Sequence, residues 1–330
     1  MFKDKNIMIL GSTGSWGNEL TKQLLKMNPK KIIAFSRGEL AQVNMKRKFN
    51  DDRIEFVIGD VRDYAAVERV FDRGVDYVYM LAALKHVPVC ENQPQEAIKT
   101  NIDGTINVIN AAIKYKVKKV IDVSTDKAVS PCNTYGFTKA LGERLTIQAN
   151  NLTKDTDFVC IRGGNVLGSN GSVVPLFIDQ IKKFNKITLT YGGMTRFFLT
   201  LPEAIKLLFQ AVENSVGGET YVMAMPSFHL SDVAKVLINH YGNADTSIKE
   251  IGIREGEKMH EVLISEHESH RSYVFNKDYY VILPELSINR DYEGLKANAN
   301  KVTFNRFSSS DNVSDAVYLT ELLDRGGFLV

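Results

Sequence analysis

The sequence lacks the cysteine and histidine patterns that mark disulfide frameworks and metal sites. Its three cysteines, Cys90, Cys132 and Cys160, are odd in number and form no Cys-x-x-Cys pair. This argues against a disulfide framework and fits a reducing cytoplasm. The late histidines at positions 260, 267 and 270 are separated by charged residues. We therefore expect solvated imidazoles and no metal ion.

A charge excess and a long apolar run are also absent. Lys and Arg total 41 against 39 Asp and Glu, and the net charge of +2 offers no general attraction to nucleic acid or to a membrane surface. No segment has the length and apolarity to span a bilayer, and the first residues reach glycines without a signal-peptide core. We expect a soluble, cytoplasmic protein whose anionic ligands are bound by local groups.

What the sequence does contain is a regular alternation of short apolar runs and helical patterns, without repeats or low-complexity tracts. Such alternation predicts a parallel sheet covered by helices on both faces, the Rossmann-type doubly wound α/β fold. We expect this dinucleotide-binding domain over residues 1–164, with return segments from about 195–225. Residues 165–330 are expected to form mainly a smaller α/β substrate-binding domain. The predicted strands are 7–10, 32–35, 54–58, 77–81, 120–121 and 158–161.

A glycine-rich loop follows the first predicted strand and opens a helix. Glycines at this place allow a tight turn and a close approach of the backbone to a pyrophosphate, which the free N–H groups of the helix start then bind. The strand and the helix are the context that makes a glycine triplet informative. The residues expected to hold a dinucleotide here are Gly11, Thr13, Gly14, Ser15, Trp16 and Gly17.

The ends of the next strands predict which dinucleotide binds. Ser36 and Arg37 follow the second strand, and a guanidinium there can pair with a 2′-phosphate, which favours NADP over NAD. Glu39 leaves NAD open, because it could bind the ribose instead. Asp60 and Val61 end the third strand, where a side chain can meet the adenine, although Asp60 could equally cap the next helix.

Small residues follow the fourth strand. Ala82 and Ala83 would let a nicotinamide ribose lie against the backbone, and Lys85 and His86 would then face the crevice. We expect Lys85 to contact substrate and His86 to have a structural role. Asn101 lies in a helical pattern that it does not favour, so it needs a polar partner.

A cluster of proton-handling side chains follows the fifth strand. Ser124, Thr125, Asp126 and Lys127 come at its end, and Tyr135 opens the next helix with Lys139 four residues later. A tyrosine is a poor base at neutral pH unless a nearby positive charge favours its phenolate. Lys139 lies on the same helix face as Tyr135 and can supply that charge.

These features together resemble the extended short-chain dehydrogenase/reductases. Several stretches further resemble the UDP-N-acetylglucosamine 4,6-dehydratases, in particular the configuration-inverting type that opens pseudaminic acid synthesis. The likeness runs from the glycine loop to about residue 286, and Lys in the Thr-Asp-Lys triplet is specific to this branch. The stretches that carry it are 82–88, 124–128, 171–175, 194–197 and 252–261.

The resemblance implies catalytic roles. Tyr135 would remove the 4-hydroxyl proton, helped by Lys139, which would also hold the nicotinamide ribose. Asp126 would be the acid for the departing 6-hydroxyl, and Lys127 the base at C-5. We expect desolvation and neighbouring lysines to depress the pKa of Lys127. Thr125 would orient substrate oxygens.

The resemblance also implies a substrate site for UDP-N-acetylglucosamine and a homo-oligomer. Guanidinium groups suit the diphosphate, and a carboxylate could accept from the UDP ribose. The expected substrate-binding residues are Lys85, Asn165, Val173, Arg196, Arg254 and Glu257.

Departures from the family pattern leave alternatives open. This chain has Gly163 where the inverting enzymes carry Tyr and Asn170 where they carry Arg, which makes the substrate side roomier and less positive. A retaining dehydratase and an enzyme that releases a 5,6-ene therefore remain alternatives. A UDP-hexose 4-epimerase would share the glycine loop and Tyr135 but has no need of Asp126 and Lys127. A non-catalytic NADP sensor would not need the cluster at all.

Overall fold

The computed structural model describes residues 1–169, 171–286 and 288–329. It contains one large sheet, three small sheets and helices on both faces of the large sheet. The strands are β1 Asn6–Leu10, β2 Lys31–Ser36, β3 Ile54–Ile58, β4 Tyr77–Met80, β5 Lys119–Thr125, β6 Asp157–Gly163, β7 Asn165–Val166, β8 Lys186–Leu189, β9 Thr195–Leu199, β10 Thr220–Met223, β11 Ser227–His229, β12 Ser247–Glu250, β13 Val262–Ile264, β14 Ser272–Asn276, β15 Tyr279–Ile282, β16 Asn300–Lys301 and β17 Phe307–Ser308.

Helices follow most of the parallel strands. A π-helical turn covers Lys99–Asp103, and short 3₁₀ turns cover Asp126–Ala128 and Ala149–Asn151. The α-helices are α1 Ser15–Leu25, α2 Glu39–Phe49, α3 Tyr64–Phe71, α4 Val87–Asn92, α5 Pro94–Ile98, α6 Gly104–Lys114, α7 Thr134–Gln148, α8 Val173–Phe184, α9 Leu201–Asn214, α10 Leu230–Tyr241, α11 Glu266–Ser269, α12 Glu293–Asn298 and α13 Ala316–Arg325.

The large sheet confirms the predicted α/β fold. Its order is β16-β14-β15-β10-β6-β5-β4-β1-β2-β3, and the strands from β10 to β3 pair in parallel. The stretch from β3 to β6 has the strand order of a Rossmann domain. Both faces are buried because alternate residues of β1 enter different cores. Ile7 and Ile9 pack with α1 and α9, whereas Met8 and Leu10 pack with α3 and α6.

The second half of the chain contributes more to this sheet than the sequence suggested. β10 lies beside β6, within the expected return region, whereas β9 pairs with β7 and β11 in a separate sheet. β14 and β15 form an antiparallel hairpin that extends the large sheet beyond β10. A third core lies among α8, α10 and α13. The division at residue 164 stays a prediction.

Within the described residues, no helix is long and apolar enough to cross a membrane.

Candidate active site

A cleft of about 660 Å³ lies at the carboxyl ends of the parallel strands. This is where ligands bind in open α/β sheets. The cleft collects residues from the glycine loop, from the ends of β2 to β6 and from the start of α8. Its lining includes Gly11, Thr13, Gly14, Ser15, Trp16, Gly17, Ser36, Arg37, Val61, Ala82, Ala83, Lys85, Thr125, Lys127, Tyr135, Asn165 and Val173.

The glycine loop has the shape that close approach to a ligand requires. Gly11 has φ +81°, and a Cβ there would lie 2.7 Å from the backbone nitrogen of Ala82. A Cβ on Gly17 would lie 2.2 Å from the carbonyl oxygen of Ser12, which explains the tight contact between loop and helix. Gly14 precedes α1, whose first turn contains no acidic residue. An anion can therefore meet the helix start without repulsion.

The end of β2 places one cation beside the cleft. The Arg37 side chain is 54% exposed, and its Nη1 lies 3.9 Å from the Asp60 carboxylate. Asp60 accepts shorter hydrogen bonds from Arg62, at 2.6 and 2.9 Å, and does not line the cleft. Its neighbour Val61 does line it. Adenine contact by Asp60 stays a prediction, and Glu39 begins α2 outside the lining.

Asn101 has the polar partners that its unfavourable helical position predicted. Its side chain accepts from the backbone nitrogen of Leu84 at 2.8 Å and donates to the Leu84 carbonyl at 2.9 Å. It also donates to the Thr138 hydroxyl of α7. Asn101 lies in the π-helical turn, a type of distortion common at functional sites. The bonds fix the β4 end of the cleft against α7.

The catalytic candidates meet where β5 passes into α7. Asp126 is fully buried, and its Oδ1 accepts from the Thr125 hydroxyl at 2.9 Å and from the Lys127 ammonium at 3.0 Å. Thr125, Lys127 and Tyr135 line the cleft. The Asn133 side chain caps α7 by accepting from the backbone nitrogen of Gly136 at 2.7 Å. This cap holds Tyr135 at the helix start.

Lys139 is buried and does not line the cleft. Its ammonium donates to Asp122 Oδ1 at 3.0 Å, and both side chains are almost completely buried. We did not predict Asp122 as a site residue. The signal was present, because an aspartate inside the apolar strand β5 requires a buried partner.

The pKa values of Tyr135 and Lys127 are both raised, whereas the sequence predicted that neighbouring positive charges would lower them. Burial raises the pKa of Tyr135, and the opposing charges of Lys139 and Lys127 do not reverse this. Burial lowers the pKa of Lys127, but Asp126 and Glu261 outweigh it, so that the net pKa is raised. The expected depression of the Lys127 pKa is therefore wrong for this structure, because the carboxylates of Asp126 and Glu261 outweigh both burial and the charge of Arg196.

Lys85, Asn165 and Val173 lie where a substrate in the cleft would meet them. Burial lowers the pKa of Lys85, and the charge of Lys127 lowers it further. Gly163 also lines the cleft, and a Cβ there would lie 3.9 Å from the Trp16 ring.

Three predicted substrate residues do not line the cleft. Arg196 is buried and donates to the carbonyls of Thr195, Met259 and Lys258, so it has no free fork for a phosphate. Arg254 and Glu257 lie in a loop, and the distance from Arg254 Nη1 to Glu257 Oε1 is 3.9 Å.

Asn170 lies outside the described residues. Among those residues, no three His, Cys, Asp or Glu side chains gather at a possible metal site.

Comparison with known proteins identifies the family. The model of the family described as polysaccharide biosynthesis protein matches residues 7–283. The chain belongs to this family. A Campylobacter jejuni protein named UDP-N-acetylglucosamine 4,6-dehydratase (inverting) is 43% identical over 98% of this chain and 98% of its own.

Other relatives carry different names. A Rickettsia rickettsii protein named UDP-glucose 4-epimerase is 43% identical over 86% of this chain and 84% of its own. The X-ray structure of Pen from Bacillus thuringiensis is 40% identical, covers 100% of both chains and superposes with a TM-score of 0.93.

Proposed function

We propose that this polysaccharide biosynthesis protein is a UDP-N-acetylglucosamine 4,6-dehydratase that inverts C-5. The carrying observation is the 3.0 Å ion pair between the buried Asp126 and Lys127, which lines a cleft that also contains a dinucleotide-type glycine loop. Elimination of water needs an acid and a base at neighbouring carbons, and this pair supplies both. The name of the Campylobacter relative supports the proposal.

NADP is the dinucleotide proposed for the cleft. The approach of Gly11 to Ala82 leaves no room for a side chain beside the pyrophosphate site, and Arg37 is open to a 2′-phosphate. The glycine loop and Arg37 would hold the dinucleotide, which would supply the hydride acceptor for C-4 of the sugar and the hydride donor for C-6. We expect Arg37→Ala to weaken NADP binding about tenfold and to leave NAD binding nearly unchanged, measured by fluorescence titration.

Tyr135 is the group proposed to accept the 4-hydroxyl proton. Burial raises the pKa of its phenol, and the positive charges of Lys139 and Lys127 counteract this effect. The hydrogen bond from Lys139 to Asp122 holds the positive charge of Lys139 in place near the Tyr135 phenol.

Asp126 and Lys127 are proposed to act together. Transfer of one proton from Lys127 Nζ to Asp126 Oδ1, across 3.0 Å, converts the ion pair into an amine and a carboxylic acid. The amine then takes the C-5 proton, and the acid protonates the departing 6-hydroxyl, which leaves as water. Both groups finish as the ammonium and carboxylate that they began as.

Substrate contacts are proposed for Lys85, Asn165 and Val173, because they line the same cleft as Thr125 and Tyr135. Arg254 and Glu257 would contact the UDP only if the loop that contains them moved towards the cleft.

A UDP-hexose 4-epimerase is the second candidate, favoured by the names of the Rickettsia relatives. It would use Tyr135 in the same way but would need neither acid at C-6 nor base at C-5. A retaining dehydratase and release of a 5,6-ene are variants of the first candidate.

Incubation with UDP-N-acetylglucosamine in deuterium oxide, followed by NMR, distinguishes these functions. A 4-ketone, a C-6 methyl group and deuterium at C-5 are expected, and the coupling constants of the product report the configuration at C-5. Vinyl signals would indicate a 5,6-ene. Interconversion with the C-4 epimer, without deuterium at C-5, would contradict dehydration.

A homo-oligomer is proposed, because apolar side chains stand exposed on the neighbouring helices α5, α6 and α7. Light scattering should show more than one chain per particle, and Phe137→Glu should reduce the mass. These side chains are Ile98, Ile106, Phe137 and Leu141. A cytoplasmic location and a place in pseudaminic acid synthesis stay predictions.

A further inference from the structure

The stretch 252–261 reaches the catalytic cluster through its last residue. Arg254 and Glu257, near its start, lie in a loop outside the cleft lining. Glu261, just before β13, is 2% exposed. Its Oε1 lies 3.6 Å from the Lys127 ammonium. The Asp126 carboxylate, which is buried and does not line the cleft, lies 3.0 Å from the same nitrogen.

The backbone holds Glu261 firmly. Its N–H donates to the Ser309 hydroxyl at 2.9 Å, and its carbonyl accepts from the Ser309 N–H at 2.8 Å. The Ser309 hydroxyl is also 2.7 Å from that of Thr195, next to Arg196. Arg196 Nε is 3.8 Å from Glu261 Oε1, while its other nitrogens bind carbonyls. The hydrogen bonds to Ser309 and the nearby Arg196 therefore hold Glu261 in place.

We propose that Glu261 is a positioning residue that fixes the place and the positive charge of the Lys127 ammonium at the cleft wall. This inference rests on the proposed function only for the role of Lys127. Glu261 itself does not line the cleft, so it acts through the lysine. Its Oε2 is buried without a hydrogen-bond partner among the described residues, which leaves the carboxylate charge directed at its two cationic neighbours.

The charged groups around Lys127 decide the sign of the effect. Asp126 and Glu261 favour the ammonium, whereas Arg196 disfavours it. Lys85 and Tyr135 also face it across the cleft, and both feel its charge. Removal of the Glu261 charge leaves Asp126 as the carboxylate at hydrogen-bond distance. The neutral amine then forms at lower pH.

The test measures the protonation of Lys127 directly. Neutral amines react with acetic anhydride and ammonium ions do not, so mass spectrometry of acetylated peptides reports the neutral fraction of each lysine. We expect Glu261→Gln to raise the acetylation rate of Lys127 about tenfold or more at pH 8, which corresponds to a pKa shift of about one unit. Glu255→Gln, in the same loop but on the exposed surface, is the matched control and should leave the rate unchanged.

An unchanged Lys127 rate in folded Glu261→Gln would overturn the inference. If that variant does not fold, Glu261→Asp withdraws the carboxylate by one methylene and should give a smaller increase, and no increase there would overturn it as well. Exchange of the C-5 proton is measured in parallel. A raised acetylation rate with wild-type exchange would support the role of Glu261 and contradict the proposed role of Lys127 as base.

Discussion

Arg162 and Lys127 each lie between two carboxylates, and the two clusters differ in how completely the cation is bound. Arg162, in β6, is enclosed by Glu143 of α7 and Glu268 of α11. Its five N–H donors bind these two carboxylates and the Leu263 carbonyl at 2.7 to 3.2 Å. The arginine is 5% exposed and cannot lose its proton near neutral pH.

The cluster at the cleft has the same order of charges but looser geometry. Lys127 is 3.0 Å from Asp126 and 3.6 Å from Glu261, and 23% of its side chain is exposed. An ammonium can give up a proton, and here it has a carboxylate within transfer distance. The same charges stabilise the fold where they are enclosed and fully bonded. Under the proposed function, they serve proton transfer where one side opens to the cleft.

The largest effect should follow from opening the enclosed cluster. Arg162→Met leaves Glu143 and Glu268 buried without their cation, so we expect the free energy of unfolding to fall by about 3–5 kcal/mol. Urea denaturation followed by circular dichroism measures it. The triple variant with Glu143→Gln and Glu268→Gln should recover much of the loss. If Arg162→Met were as stable as wild type, the enclosed Arg162 cluster would not have the stabilising role that distinguishes it from the Lys127 cluster.

The enclosed cluster should also govern acid stability. Burial raises the pKa of Glu268, but Arg162 and the Ser265 hydrogen bonds lower it more strongly, to about 2 from 4.5. Because the folded pKa is depressed, the stabilisation is complete above about pH 4.5 and is lost as the pH falls towards 2. Glu268→Gln should reduce the pH-dependent change in the free energy of unfolding over that range by about 3 kcal/mol. An unaltered curve would contradict this account.

The cleft cluster should affect catalysis as well as folding. Lys127→Ala is expected to reduce C-5 exchange by about a hundredfold or more with NADP still bound. Because it leaves the buried Asp126 and Glu261 without their cation, it should also lower the melting temperature. Lys127→Arg sharpens the comparison, because it keeps the charge but cannot release a proton, and it should lose exchange similarly. Exchange is measured by NMR in deuterium oxide, and retained exchange in both variants would exclude Lys127 as the base.

Local signals predicted the parallel sheet, the glycine loop and the group around Tyr135. The apolar periodicity and the motif spacing that predict these features each lie within a short stretch of the chain. Asp122 could also have been found, since a carboxylate in an apolar strand needs a cation. Arg196 could not, because the carbonyls that bind it belong partly to residues 258–259, far along the chain. The approach of Glu261 to Lys127 likewise depends on tertiary packing that leaves no local pattern.

The most direct test of the account is the product formed from UDP-N-acetylglucosamine in deuterium oxide. Lys127 lines the cleft and forms a 3.0 Å ion pair with the buried Asp126. The proposed function predicts a 4-keto-6-deoxy sugar with deuterium at C-5 and inverted configuration there. A product that differs from the substrate at C-4 alone, with hydrogen retained at C-5, would contradict it.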